Sequence, residues 1–207
     1  MIIAGASRHA KEIIQILNQN NQGFDYLYDN ISTQFDTYFR DFSIIRNDLE
    51  LKKCNNTHFA LALGGSKSRK KLFEKFIRFK KLPFSVISKT SVIGVSDVNL
   101  GRALNIMHFA FIADNTHIGD GSLINAYSSI HHDVFIGEFV ELSPRATVLG
   151  GAKVGNESMI GAGAIILPNI KIGANCVVGA GSVVTQDIPD NCLVVGVPAV
   201  IKKELKP

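Results

Sequence analysis

The sequence predicts two units in tandem: a small α/β domain over residues 1–88 and a parallel β-helix over residues 89–207. Three observations predict this. Short apolar runs alternate with helical patterns through the first part. From Ile112 to Val184 every sixth residue is a branched aliphatic, thirteen times in succession. The residue four places after each aliphatic is mostly small, as at Thr116, Ser122, Ser128, Ala146, Ala152, Ser158, Ala164 and Ser182.

In the first unit, Ile2-Ile3 reads as a buried strand that ends at Gly5-Ala6-Ser7. Ala10, Ile13, Ile14 and Leu17 then share one helical face, and Ser7 is placed to cap that helix. Phe24 to Tyr28 reads as a second strand ending at Asp29-Asn30. Residues 31–57 carry the weakest pattern. Phe59 to Leu63 is a buried strand ending at Gly64-Gly65. A helix follows in which Lys67, Arg69, Lys70, Lys71, Lys75, Arg78, Lys80 and Lys81 alternate with Leu72, Phe73, Phe76 and Ile77. It is expected to carry a basic outer face, either simply solvated or attracting a phosphorylated ligand. Phe84 to Ile87 is the last short strand.

In the second unit the period is six, which matches neither an α-helix nor a flat strand. It suits a solenoid in which each hexad supplies one short strand and one corner. The aliphatic points inward and the small residue fits beside it. With three hexads per coil, residues 18 apart stack. Gly often follows the aliphatic, as at Gly119, Gly137, Gly155, Gly161, Gly173 and Gly179, and is expected to ease the turn.

Composition narrows the function classes. Hydrophobic residues make up 46% and charged residues 19%, enough apolar content for a packed core. A net charge of +4 is too small to argue for a nucleic-acid partner. Cys54, Cys176 and Cys192 are scattered and lack CxxC spacing, so neither a disulfide framework nor a zinc site is expected. No apolar run approaches the ~20 residues that cross a bilayer. Met1-Ile2-Ile3-Ala4-Gly5 reads as a strand rather than a secretory leader, which predicts a cytoplasmic protein.

The hexads resemble those of the left-handed β-helix acyltransferases. The opening Ile2-Ile3-Ala4-Gly5-Ala6-Ser7-Arg8-His9-Ala10-Lys11 is similar to one branch, the sialic acid O-acetyltransferase and nucleotide-sugar N-acetyltransferase group. So are Ile130-His131-His132-Asp133 and the closing Val195-Gly196-Val197-Pro198-Ala199. The resemblance covers nearly the whole chain. It implies a left-handed coil, a Rossmann-like first domain, acetyl-CoA as acyl donor, a nucleotide-sugar acceptor and a homotrimer with CoA between adjacent β-helices.

The resemblance also implies roles for residues. Acyl transfer to an amine needs a base and donors for the developing oxyanion. By resemblance His132 is the base and Asp133 fixes its tautomer. His131 stands where the family has an acid, and ranks second as base. Gly150, 18 residues after His132, offers its N–H to the thioester oxygen. Ala162 and Ala180 match positions that contact the pantetheine arm, and Asn125 matches an acceptor-pocket Asn. Gly5, Ala6, Ser7, Asp29, Asn30, Gly64 and Gly65 match the loops that bind the acceptor nucleotide. Strand carboxyl ends are where parallel sheets take ligands. The opening loop lacks GxGxxG, which argues against NAD, and Arg8 replaces a usual Gly. Relatives often carry a second His nine residues after the base, and here that position is Glu141. An ionised carboxylate cannot donate to an oxyanion. Glu141 is expected either to contact the acceptor amine or to form a surface ion pair.

Three other readings compete. O-acetylation of a sugar such as sialic acid uses the same base. A three-His metal-dependent hydratase needs histidines in coil register, but His117 and His132 are 15 apart and lack a third partner. A non-catalytic scaffold needs none of these residues. The reading adopted is N-acetylation of a nucleotide-linked amino sugar without an acyl-enzyme and without a metal.

Overall fold

The computed structural model describes residues 1–31 and 37–206. The first half builds from β1 (Ile2–Ala4), a strand with no exposed surface. Helix α1 (Arg8–Gln19) follows and buries Ala10, Ile13, Ile14, Ile16 and Leu17, the stripe its sequence period predicts. Next come β2 (Tyr26–Tyr28), a 3-10 turn (Thr37–Phe39), β3 (Ile44–Ile45), α2 (Asp48–Lys53), β4 (His58–Leu61), α3 (Ser66–Arg78) and β5 (Leu82–Pro83). The sheet order is β3-β2-β1-β4-β5 and every pairing is parallel. All strand carboxyl ends therefore share one edge.

Four local expectations change. The second strand starts at Tyr26, not Phe24. The stretch that carries no clear pattern holds β3 and α2, the latter capped by the Asn47 side chain, which accepts from the Glu50 N–H at 2.9 Å. The basic face of α3 is incomplete, because Arg69 has 0% exposure and Lys81 just beyond the helix is also buried. Val86–Ile87 pairs with Asn105–Ile106 and so joins the solenoid rather than the α/β sheet.

The second half is a three-sided parallel β-helix. One face stacks Val92–Ile93, Phe111–Ile112, Ser129–Ile130, Thr147–Val148, Ile165–Ile166 and Val183–Val184. A second stacks five strands from Asn99–Leu100 to Lys171–Ile172. The third runs from Val86–Ile87 to Val177–Val178 and closes with the hairpin of Cys192–Gly196 and Ala199–Glu204. In register, Ile112 meets Ile130, Ile130 meets Val148, and Val148 meets Ile166. These aliphatics have 0% exposure. Each such burial contributes about 1.5–3 kcal/mol. The small residues satisfy the core's backbone as well: Ser122 donates to Gly137 O at 3.0 Å and Ser158 to Gly173 O at 2.8 Å.

The glycine after the aliphatic does not make the turn. The left-handed residue comes two places later, at Phe109, Asn115, Gly121, Tyr127, Asp133, Phe139, Arg145, Gly151 and Glu157 in succession. The glycine is needed for closeness. A Cβ on Gly119 would lie 2.6 Å from the Gly137 carbonyl carbon, and one on Gly155 2.6 Å from Ala174 N.

The two halves share cores. Helix α1 packs on Met107 and Leu123 of the solenoid. Phe73 of α3 meets Phe139 edge-on, with ring centroids 5.4 Å apart. Arg69 crosses this boundary, donating to Gly121 O at 2.7 Å, Leu63 O at 2.8 Å and Asn105 Oδ1 at 2.7 Å.

Candidate active site

His132 and Asp133 form the corner between the first and second faces, just after the strand Ser129–Ile130. Asp133 takes a φ of 62°, a conformation that Asp tolerates better than most residues. The corner turns both side chains outward, and they remain 69% and 52% exposed. His132 Nδ1 lies 2.6 Å from Asp133 Oδ2. The amide of Asn115, one coil earlier, donates to the other Asp133 oxygen. The imidazole contact first, and the Asn115 amide second, hold the Asp133 carboxyl below its usual value of 3.8. An ionised carboxylate only accepts. Nδ1 therefore carries the hydrogen, and Nε2 is left as the basic nitrogen.

Gly150 sits on the next coil, against the ring. A Cβ there would be 2.7 Å from Cε1 and 2.8 Å from Nε2 of His132. The Gly150 N–H donates to no acceptor among the described residues. One corner thus brings together a base, its orienting carboxylate and a free backbone donor. His131 is turned differently: its ring meets Phe111 edge-on at 6.0 Å.

The other predicted residues fall into two groups. Ala162 and Ala180 stack on the corner that follows the third face, joined by Gly181 N–H to Ala162 O at 2.9 Å. Asn125 begins the same corner lower down, with its Oδ1 taking the Ala126 N–H at 2.8 Å. The remaining residues lie along the carboxyl edge of the α/β sheet, at the ends of β1, β2 and β4. Gly5, with φ at 128°, is required there, because a Cβ would come 2.9 Å from Ala62 O. Ser7 holds the cap position of α1, but its hydroxyl does not cap. It turns toward Ala62 O at 3.5 Å. Asp29 takes the Ile31 N–H at 2.9 Å. Glu141 opens a strand of the third face and accepts from Gly65 N–H at 2.7 Å. Among the described residues Glu141 forms no ion pair; its carboxylate is held by backbone.

The sequence pattern assigns Arg69 to a basic outer face and singles out nothing at Asn115. Burial pulls the Arg69 guanidinium down to about 9, with Glu141 opposing that shift, so it stays charged at neutral pH. A signal existed for each: Arg69 lies four residues before Phe73 on the buried face, and Asn115 lies 18 before Asp133. Among the described residues, no group of three or more His, Cys, Asp or Glu side chains is placed to hold a metal ion. No helix among them is long and apolar enough to cross a membrane.

Known proteins share this architecture. The family described as bacterial transferase hexapeptide (six repeats) matches residues 151–186, and the PglD N-terminal domain matches residues 1–76. GDP-perosamine N-acetyltransferase of Escherichia coli is 31% identical over 168 residues, spanning 78% of this chain and 75% of that protein. The chain belongs to the hexapeptide-repeat acyltransferases. Two solved acyltransferases extend the match over nearly the full length. PerB from Caulobacter crescentus, in complex with CoA and GDP-perosamine, is 30% identical with a TM-score of 0.90, covering 98% of this chain and 96% of its own. The acetyltransferase domain of PglB from Neisseria gonorrhoeae, in complex with acetyl coenzyme A, is 25% identical with a TM-score of 0.88, covering 97% and 98%. As in those acyltransferases, the solenoid is a left-handed β-helix behind an α/β domain.

Proposed function

We propose that this acyltransferase moves an acetyl group from acetyl-CoA to the amino group of a nucleotide-linked sugar, with His132 as general base. The observation that carries this reading is the His132 ring held between Asp133 and Gly150, with its basic Nε2 packed on a glycine whose backbone N–H has no acceptor among the described residues. Relatives crystallised with CoA and GDP-perosamine support both substrate classes.

The acceptor amine must be neutral to attack. Its nitrogen bonds to the thioester carbonyl carbon while Nε2 takes its proton. Negative charge then gathers on the carbonyl oxygen, where the Gly150 N–H is available. The C–S bond breaks, the sulfur recovers the proton from the imidazolium, and the products are the amide and CoA. Asp133 holds the ring and offsets its transient charge. Ala162 and Ala180 line the donor's path. Asn125 and Glu141 border the acceptor. The nucleotide lies over Gly5, Ala6, Ser7, Asp29, Asn30, Gly64 and Gly65, where the open α1 N-terminus favours phosphate.

Glu141 follows His132 by nine residues, half a coil, so the two lie on opposite sides of one solenoid. A homotrimer resolves this, with the base of one copy facing the acceptor loops of the next. A monomeric mass in solution overturns that arrangement.

The test is CoA release from acetyl-CoA against a panel of nucleotide-linked amino sugars, including GDP-perosamine, and of free sialic acids. Release is expected with amino acceptors and lost in His132→Ala. Release with hydroxyl acceptors alone replaces the reading by O-acetylation.

A further inference from the structure

The carboxylate at Glu141 belongs to the solenoid, yet its hydrogen bond ends on the α/β domain. Glu141 Oε2 accepts from Gly65 N–H at 2.7 Å, across 76 residues of sequence. Gly65, with a φ of 81°, is the N-cap of α3 and has no side chain to supply a capping group. The helix begins with no acidic residue in its first turn. The glutamate therefore provides, from the other domain, the negative charge that a helix N-terminus favours. Gly64 lies against the same carboxylate, since a Cβ there would meet Oε2 at 3.5 Å and Oε1 at 3.7 Å. Behind the loop the buried Arg69 holds Leu63 O at 2.8 Å and the solenoid carbonyl of Gly121 at 2.7 Å. The turn from Leu63 to Gly65 is thus fixed from both sides.

We infer that Glu141 is a positioning residue for the acceptor: it fixes the Gly64–Gly65 turn as the floor of the nucleotide-sugar site and closes the α3 N-terminus to phosphate. The inference rests on the nucleotide-sugar reading above. It assigns Glu141 an effect through the turn, not on the reacting atoms. The phosphates are left to the α1 N-terminus, where the Ser7 hydroxyl does not cap. A glutamine keeps an acceptor oxygen for the Gly65 N–H, whereas an alanine does not.

The experiment compares wild type, Glu141→Ala and Glu141→Gln by steady-state kinetics with acetyl-CoA and GDP-perosamine, and by hydrogen exchange of the peptide spanning residues 62–68. A hydrogen bond to a charged group sets the scale, about tenfold or more. Glu141→Ala is expected to raise KM for the nucleotide sugar by about that factor, with kcat and the KM for acetyl-CoA within about threefold of wild type. Its 62–68 peptide exchanges faster. Glu141→Gln, which keeps the acceptor oxygen but not the charge, restores most of both readouts. Unchanged exchange in Glu141→Ala overturns the anchoring, and faster exchange with an unchanged sugar KM overturns the role of the turn in acceptor binding. A loss in Glu141→Gln equal to that in Glu141→Ala also overturns it, because charge and not anchoring is then at work. If wild type turns over none of the nucleotide-linked amino sugars, the functional reading fails by itself, and exchange in the two variants still decides whether Glu141 holds the turn.

Discussion

The His132 imidazole packs directly on Gly150, one coil above, with no room between them for a methyl group: Cε1 and Nε2 lie 2.7 and 2.8 Å from where a Cβ would stand. Gly150→Ala must therefore push the ring off the corner. The ring is 69% exposed and is free to swing into solvent, so folding is barely affected. Expected is a fall in kcat of about a hundredfold with a change in stability within about 0.5 kcal/mol. Kinetics alongside urea unfolding checks this. A fully active Gly150→Ala enzyme means that the ring position seen here is not the working one.

Asp133 titrates low because His132, first, and Asn115, second, hydrogen-bond its charged form. A lowered carboxyl pKa gives a contribution that is present above the usual value of 3.8 and is lost as pH falls through the lower folded value. Across neutral pH the carboxylate therefore stays ionised and remains an acceptor for His132 Nδ1. A carbon-detected NMR titration of the Asp133 carboxyl is expected to give a midpoint below 3.8. His132→Ala raises that midpoint most and Asn115→Ala raises it less. A midpoint above 3.8 in wild type removes the pairing.

The solenoid was legible because its signal is one residue repeated thirteen times in a fixed role, and burial fixes that residue's chemistry. The His132–Asp133 contact was legible because the two residues are neighbours in sequence. Gly150 followed from its 18-residue spacing, whereas Asn115, 18 residues before Asp133, lies in the same register with no motif around it to single it out. Arg69 was misread because a cation among lysines on a helix resembles solvated charge. Its burial depends on acceptors at Gly121 and Asn105, which no local pattern reveals. The strand β3 and helix α2 were missed for a related reason: β3 is two residues long and α2 six, too short for periodicity to register.

Ile160 tests the solenoid core itself. It has 0% exposure and pairs with Leu142 below and Val178 above. Ile160→Ala leaves a cavity that stacked strands cannot close without shifting three coils, and the expected loss is about 2–5 kcal/mol. Lys171, exposed on the second face, is the control, and Lys171→Ala is expected to change stability by less than about 0.5 kcal/mol. Urea midpoints decide the comparison, and equal losses in the two variants would contradict the inward role of the repeated aliphatic.

Arg69 offers the sharpest test of how the domains are joined. Its guanidinium is fully buried and serves Gly121 O, Leu63 O and Asn105 Oδ1 at 2.7–2.8 Å. Methionine fills much of the same volume but donates nothing, so Arg69→Met strands three acceptors. Each unsatisfied buried group costs about 1–3 kcal/mol, and an overall loss of about 3–5 kcal/mol is expected. Asn105 is itself buried, and its Oδ1 takes the guanidinium. Adding Asn105→Leu to Arg69→Met removes one stranded acceptor, so the double variant is expected to be more stable than the sum of the single losses by about 1–2 kcal/mol. Additive losses in a denaturant double-mutant cycle would show that Arg69 contributes through packing alone and not through the hydrogen bonds that span the two domains.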